Sequence, residues 1–294
     1  MLIQSVVKVL LPAAGQSIHS RCICHRSLSS LSELRNQFQK LPGGSVDLAK
    51  DETSGIATVI INNPGRKNAF TGKMMVDFYD CVSDLEKWVT GKCVILAGCG
   101  GTFCSGGDLQ TVQANLSNGE EMSELMQNAT ARLFNLPLVS VAAIDGHALG
   151  GGAELATACD FRIMKPTAKV GFVQVKLNIA TGWGGCTRLV ELLGRTKALR
   201  LLSSGMIMNA ETAYRIGFAD DILDENGDIV ELGKQWLIEN CIGNAAATRV
   251  IKQMVLAGVQ FDEAASLKCE RQLFCQVWGK ETHREALSMN KKHK

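Results

Sequence analysis

The sequence has no run of 18 apolar residues, so no segment of it could cross a bilayer as a continuous apolar helix. Its 11 cysteines include no Cys-x-x-Cys pair and therefore lack the ligand spacing of a structural zinc site. We expect them to be free thiols in a reducing compartment. Aromatic residues make up only 5% of the chain, which argues against a base-stacking surface. We accordingly expect no metal, no membrane association and no nucleic-acid partner.

Acidic residues are absent from the first 32 positions. Residues 1–40 hold five Lys or Arg and one acid, whereas the rest of the chain has 26 basic and 28 acidic residues. By charge, the body of the protein is therefore not a polyanion binder. The leader mixes Ser, Arg and apolar residues as a mitochondrial transit peptide does, and an unstructured basic tail is the alternative. We predict a disordered or transit-like leader over residues 1–40.

Strand and helix patterns alternate in the part of the chain that follows the leader. Three β-branched or apolar runs predict buried strands, at 56–61, 93–97 and 138–144. The later patterns predict two long helices, over 230–257 and 261–278. We therefore predict an α/β core over residues 41–205, followed by a C-terminal helical region over residues 206–294.

Two glycine-rich loops, at 102–109 and 146–154, each follow a predicted buried strand. Neither loop contains Gly-x-Gly-x-x-Gly or a closing Gly-Lys-Ser/Thr, which argues against dinucleotide binding and against a Walker loop. The Gly-x-Ser-x-Gly elbow of a serine hydrolase is also absent from the sequence. Glycines let backbone N–H groups approach a ligand closely. Two such loops that converge would form an oxyanion hole.

The sequence resembles the enoyl-CoA hydratase/isomerase (crotonase) superfamily over about residues 43–294. The resemblance is carried by five segments in the correct order: 63–70, 103–109, 146–154, 158–162 and 183–189. It implies a crotonase-like spiral of ββα units whose C-terminal helices build a homotrimer or hexamer. It also implies an acyl-CoA substrate and no cofactor.

The same resemblance implies roles for individual residues. The backbone N–H groups of Cys104 and Gly151 would form the oxyanion hole for the thioester carbonyl. The Cys104 thiol itself would take no part in the reaction. Glu154 matches the family's catalytic acid. The remaining residues expected to contact CoA or the acyl group are Lys67, Ala69, Ser105, Gly106, Asp108, Leu109, Gly150, Gln174 and Trp183. Lys67 would either meet a CoA phosphate or be solvated.

The residues around the oxyanion hole discriminate between reactions. Family hydratases need two glutamates, because adding water across a double bond needs a base and an acid. The first matches Glu154, but the second position, 20 residues later, is Gln174. An amide does not exchange a proton near neutral pH. Decarboxylation of a malonyl-type thioester fits better, since it requires an oxyanion hole, an apolar pocket and a proton donor but no external base.

Within the family, the pattern is most similar to members that remove CO₂ from ethylmalonyl-CoA, and less readily from methylmalonyl-CoA, giving butyryl-CoA or propionyl-CoA. That similarity implies metabolite repair in the cytosol, whereas the leader's composition suggests the mitochondrial matrix; we expect the cytosol. One alternative is a short-chain enoyl-CoA hydratase or isomerase. The other is a non-catalytic RNA-binding or scaffold member, for which a lysine-rich helix is expected; residues 194–203 contain only Arg195, Lys197 and Arg200 as basic residues.

Two further expectations concern charged residues. Asp160 and Arg162 are expected to pair with each other. Four lysines are candidates for phosphate contacts from a neighbouring subunit: Lys252, Lys280, Lys291 and Lys292.

Overall fold

The computed structural model describes residues 28–290, which contain nine strands in two sheets. The strands are β1 (Ser45–Asp51), β2 (Ile56–Asn62), β3 (Cys93–Gly98), β4 (Val139–Ile144), β5 (His147–Leu149), β6 (Phe161–Met164), β7 (Lys169–Gly171), β8 (Ile207–Asn209) and β9 (Asp221–Ile222). The larger sheet has the order β1-β2-β3-β4-β6-β9, and the smaller one has the order β5-β7-β8. In the larger sheet β1 is antiparallel to β2, and the other neighbours are parallel.

Twelve α-helices surround these sheets within the described part of the chain. They are α1 (Leu28–Phe38), α2 (Gly72–Glu86), α3 (Leu109–Ala114), α4 (Gly119–Phe134), α5 (Gly151–Ala156), α6 (Gly185–Leu193), α7 (Arg195–Ser204), α8 (Ala210–Ile216), α9 (Ile229–Asn240), α10 (Ala245–Gln260), α11 (Glu263–Val277) and α12 (Glu281–Asn290). None of the helices between residues 28 and 290 is both long and apolar enough to span a bilayer. The alternation of strands and helices agrees with the predicted α/β class.

Strand β3 separates two apolar layers, because successive side chains of a strand point to opposite faces. Val94 and Leu96 belong to the larger core, which also contains the buried side of α2. Cys93, Ile95 and Ala97 belong to the smaller core, which α9 covers. All six residues of β3 are buried, as expected for a parallel strand covered on both faces.

The predicted disorder of the leader is wrong for residues 28–38, which form α1. Leu34 and Phe38 are four residues apart, so they lie on one face of the helix, and both are buried against the body. Arg35 also pairs with Asp80 of α2. These apolar contacts tie the helix to the core despite the basic composition of the leader. Residues 1–27, to which the transit-like prediction also applies, lie outside the described residues.

The predicted single helix over 230–257 is also wrong. The chain leaves α9 at Cys241, and Asn244 then caps α10 by accepting a hydrogen bond from the Ala247 N–H at 2.9 Å. An Asn at this position satisfies an N–H that has no partner inside the helix, so it favours a new helix start. The predicted helix over 261–278 corresponds to α11. The region 206–294 also supplies the short strands β8 and β9 to the two sheets.

The expected pair of Asp160 and Arg162 does not form between their side chains. Arg162 pairs with Asp220 at 2.7 Å, because β6 runs beside the chain that enters β9. Asp160 instead pairs with Lys252 of α10. Lys252 is 5% exposed and is therefore unavailable for a phosphate contact from another subunit. Lys291 and Lys292 lie outside the described residues.

Candidate active site

The two glycine-rich loops follow β3 and β4, which are adjacent parallel strands, so both loops emerge at the same edge of the sheet. An isolated β-bridge between Cys104 and Ala148 joins them directly. A cavity of about 490 Å³ opens beside this junction. Its wall includes both loops, Glu154, Leu177 and Ile179.

Most backbone N–H groups of the first loop already have acceptors. The N–H of Cys104 donates to His147 O at 2.9 Å across the β-bridge. The other bonds of this loop run from Ser105 N–H to Lys67 O, from Gly106 N–H to Cys104 Sγ and from Asp108 N–H to Phe70 O. Between residues 104 and 108, Gly107 is the one residue whose N–H has no acceptor in the described structure, and Gly107 lines the cavity.

This bonding pattern corrects the predicted role of the Cys104 N–H, because a donor engaged in a β-bridge is not available to a thioester. Gly107 offers the free donor instead. The Cys104 thiol is fully buried, and desolvation raises its pKa to about 12. A thiol with this pKa is a poor nucleophile at neutral pH.

The second loop offers its free donor at Gly151, the first residue of α5. The first N–H groups of a helix have no acceptor within the helix. The preceding donors are engaged, with Leu149 N–H bound to Cys104 O and Gly150 N–H bound to Gly171 O. A Cβ at Gly151 would lie 2.7 Å from the ring of Trp183, so only glycine fits between the ring and the loop.

Glu154 lies on α5 and is only 2% exposed. Its Oε1 accepts hydrogen bonds from Gln174 Nε2 at 2.8 Å and Gly182 N–H at 3.1 Å. Its Oε2 accepts from Trp183 N–H at 2.7 Å and Gly185 N–H at 3.0 Å. Burial raises the pKa of the carboxyl group above its ordinary value, and the four N–H donors oppose that rise.

The turn at 182–185 that holds Glu154 is itself held by α4. The Ser123 hydroxyl and the Gln127 amide donate to Gly182 O, at 2.6 and 3.1 Å. The Thr130 hydroxyl donates to Trp183 O at 2.9 Å. Residues 123, 127 and 130 are spaced four and three apart, so they form one polar stripe on the helix. Sequence reasoning missed this support, although the stripe was visible at helical spacing.

Gln174 lies in a short 3₁₀ helix, Val173–Leu177, and is 9% exposed. Its Nε2 donates to Glu154, as given above, whereas its Oε1 is buried without a hydrogen-bond partner among the described residues. Both Gln174 and Trp183 line the cavity. Trp183 also packs edge-on against Phe70, with 5.6 Å between ring centroids.

The predicted CoA-binding residues divide into two groups. Lys67 does not line the cavity; it has a left-handed backbone with φ of 51°, and its neighbour Arg66 lines the cavity instead. The members that do line the cavity are Ala69, Ser105, Gly106, Asp108, Leu109 and Gly150. Arg66 was missed because two adjacent basic residues cannot be told apart before the turn is known.

Asp108 stabilises the first loop. It caps α3 by accepting from Thr111 N–H at 2.9 Å, and it pairs with Arg66 at 2.6 Å. Burial alone would raise the pKa of Asp108, but the Arg66 guanidinium and the Thr111 donors hold it below its ordinary value. Asp108 is therefore an ionised structural carboxylate, and Glu154 is the remaining carboxyl group in the cavity wall.

Comparison with known proteins places this geometry in a family. The family description "Enoyl-CoA hydratase/isomerase" matches residues 51–294. The chain is 41% identical to Ethylmalonyl-CoA decarboxylase of Xenopus laevis, covering 94% of both chains, and 42% identical to the protein of that name from Danio rerio, covering 89% and 88%. A crystal structure of enoyl-CoA hydratase from Bacillus anthracis superimposes with a TM-score of 0.78 at 26% identity, covering 86% of this chain and 97% of that one. The crotonase-like fold is thereby confirmed, and the chain belongs to the enoyl-CoA hydratase/isomerase family.

Proposed function

We propose that this protein is a carboxy-lyase that removes CO₂ from ethylmalonyl-CoA and, less readily, from methylmalonyl-CoA. The products are butyryl-CoA and propionyl-CoA. The names of the 41–42% identical relatives support this assignment. The structural observation that carries it is Gln174, a non-titrating amide bonded to Glu154 where a hydratase needs a second acid.

The free N–H groups of Gly107 and Gly151 serve the thioester in this reaction. When the bond between the α-carbon and the carboxylate breaks, its electron pair moves into the thioester and places negative charge on the carbonyl oxygen. Each backbone donor directed at such an oxygen is worth about 3–4 kcal/mol of transition-state stabilisation. The thioester itself accepts the electrons, so the reaction needs neither a metal nor an organic cofactor.

The remaining wall of the cavity favours loss of the carboxylate. Leu177, Ile179 and Trp183 make that part of the wall apolar. Apolar surroundings destabilise a charged carboxylate relative to uncharged CO₂, so they favour decarboxylation. The enolate then needs one proton. Because Asp108 is paired with Arg66, Glu154 is the carboxyl group placed to supply it.

The main rival is hydration or isomerisation of a short-chain enoyl-CoA, which the hydratase structure named above represents. It requires a second acid near Glu154, and Gln174 occupies that position. The RNA-binding alternative would use α7, where Arg195, Lys197 and Arg200 are exposed. Because α7 has only these three basic residues and the body of the protein has more acidic than basic residues, the charge pattern favours the acyl-CoA hypothesis over RNA binding.

The assembly and location also enter as proposals. The C-terminal helices expose many apolar side chains, among them Ile251, Val255, Val259, Leu267, Phe274 and Trp278. Apolar surface of this extent supports a homotrimer or hexamer, which light scattering on the purified protein would test. We propose a cytosolic location for a metabolite-repair role. Detection of a cleaved leader, by mass spectrometry of the mature N-terminus, would contradict the cytosolic location.

The direct test of the reaction is CO₂ release by purified protein from malonyl-CoA, methylmalonyl-CoA and ethylmalonyl-CoA. We expect the highest kcat/KM with ethylmalonyl-CoA, followed by methylmalonyl-CoA. Absence of CO₂ release from the whole series would refute the proposal. A steeply salt-dependent affinity for RNA would then favour the non-catalytic alternative.

A further inference from the structure

Glu154 and Gln174 form an incompletely satisfied pair in the cavity wall. The Gln174 Nε2 donates to Glu154 Oε1 at 2.8 Å, and the Gln174 Oε1 has no partner among residues 28–290. Buried carbonyl oxygens are normally hydrogen-bonded, so an unpaired one in a ligand cavity points to a function. The arrangement fits one protonation state, in which Glu154 is an ionised carboxylate surrounded by four N–H donors.

Turning the Gln174 amide by half a rotation about its last bond would exchange its two polar atoms. With Glu154 ionised, this would set a carbonyl oxygen against a carboxylate oxygen and is unfavourable. With Glu154 protonated on Oε1, the turned carbonyl would accept the Glu154 O–H instead. The amide N–H group would then take the position of the unpaired oxygen and become a donor without a partner.

A malonyl-type substrate brings a second carboxylate into the same wall. Two carboxylates at close range cannot both remain ionised without strong repulsion, so the pKa of one of them rises. A substrate carboxylate also needs donors, which an ionised Glu154 and the unpaired carbonyl oxygen of Gln174 cannot provide. Uptake of one proton by Glu154 removes the repulsion and turns Gln174 into the missing donor.

We propose that binding of a carboxylated acyl-CoA loads one proton onto Glu154, and that the Gln174 amide then turns to accept the Glu154 O–H and to donate to the substrate carboxylate. This inference rests on the proposed decarboxylase function. It assigns Gln174 as the residue that selects carboxylated acyl groups. It also explains how Glu154, whose carboxylate accepts four N–H donors, acquires the proton that it delivers to the substrate.

The proposed cycle balances in atoms and charge. The carbon–carbon bond to the carboxylate breaks, CO₂ leaves, and the electron pair enters the thioester enolate. The Glu154 O–H proton moves to the α-carbon and forms the new C–H bond. Glu154 returns to the carboxylate, and the Gln174 amide turns back to donate to it. One proton from solvent is consumed for each CO₂ released.

The other charged groups near this pair do not replace Glu154 as the proton carrier. Arg188 of α6 acts on Glu154 by charge and holds the local backbone, donating to Trp183 O at 2.6 Å and to Glu154 O at 3.4 Å. Its positive charge favours ionised Glu154 in the free protein. Arg66 and Asp108 line the same cavity but pair with each other.

The test is isothermal titration calorimetry on the intact protein at neutral pH, in two buffers of different ionisation enthalpy. The ligand is an ethylmalonyl-CoA analogue in which a sulfonate replaces the leaving carboxylate, so that no CO₂ can form. Butyryl-CoA, which lacks the anion, is the matched control. We expect uptake of about one proton per bound analogue and no uptake with butyryl-CoA. Binding of the analogue without proton uptake would overturn the inference alone.

A variant of Gln174 tests whether its amide binds the anionic group of the ligand or only supports the fold. Gln174→Met keeps the side-chain length but removes the donor and acceptor. We expect it to lower affinity for the sulfonate analogue by roughly tenfold or more while changing affinity for butyryl-CoA by less than about twofold. Equal loss of both affinities would refute the selective role. Failure of wild-type protein to bind the analogue, while butyryl-CoA binds, would instead refute the proposed function.

Discussion

Replacing Gly151 by alanine tests the contribution of the oxyanion hole to turnover separately from the stability of the fold. The new Cβ would lie 2.7–2.9 Å from three atoms of the Trp183 ring. The ring cannot withdraw easily, because it packs against Phe70 and its backbone is held by Glu154 and Thr130. The loop must therefore move, and the Gly151 N–H moves with it.

Two magnitudes follow from this displacement. Overpacking of a well-packed site costs about 1–3 kcal/mol of stability. Loss of one donor to the oxyanion costs about 3 kcal/mol of barrier, equivalent to a 10²- to 10³-fold fall in kcat. We expect Gly151→Ala to show both effects, with the loss of kcat much larger than any change in the KM for ethylmalonyl-CoA.

Gly182→Ala is the matched control, because it places the same methyl group in the same cavity wall. The nearest atom to a Cβ at Gly182 is the Ser123 hydroxyl at 3.8 Å, which is an ordinary contact. CO₂ release and thermal unfolding of both variants provide the assay. Turnover of Gly151→Ala within about threefold of Gly182→Ala would refute the assignment of Gly151 as an oxyanion donor.

Four other changes test separate parts of the site and fold. Glu154→Gln should lower decarboxylation by roughly 10²-fold, because the proton donor is lost. Wild-type kcat/KM should fall as pH rises through the raised pKa of Glu154 in the free protein, since the acid form delivers the proton. Gln174→Glu should impair CO₂ release through repulsion of the substrate carboxylate and should bring some hydration of crotonyl-CoA, measured by loss of enoyl absorbance. Cys104→Ser should keep turnover within about threefold, and iodoacetamide should leave Cys104 unalkylated in the native protein, as peptide mass spectrometry would show, because this thiol is buried with a pKa of about 12. Phe38→Ala should lower the free energy of unfolding by about 3–5 kcal/mol in a urea titration, since the ring of Phe38 is fully buried; no change would contradict the packing of α1 on the core.

The sequence identified the two loops, Glu154 and Gln174 because these are local motifs whose order along the chain is itself informative. It could not identify which N–H of the first loop is free. That depends on the bridge between Cys104 and Ala148, a contact between strands that local sequence does not encode. The sequence also could not show that Arg66 lines the cavity and Lys67 does not, because this depends on the left-handed turn at Lys67.

The ends of the chain were harder to predict for a different reason. Composition suggested a leader up to residue 40, but two apolar residues, Leu34 and Phe38, are enough to anchor α1 on the core. The break between α9 and α10 depends on the capping side chain of Asn244 inside an otherwise continuous apolar pattern. In both places a few specific contacts override a compositional trend.

The central claim is that one protein carries the decarboxylase chemistry and lacks the hydratase chemistry. The most direct measurement offers ethylmalonyl-CoA and crotonyl-CoA to the same preparation and compares the two kcat/KM values. We predict CO₂ release with formation of butyryl-CoA, and no hydration of crotonyl-CoA above the uncatalysed rate. Hydration of crotonyl-CoA at an ordinary enzymatic rate, without CO₂ release from ethylmalonyl-CoA, would contradict it.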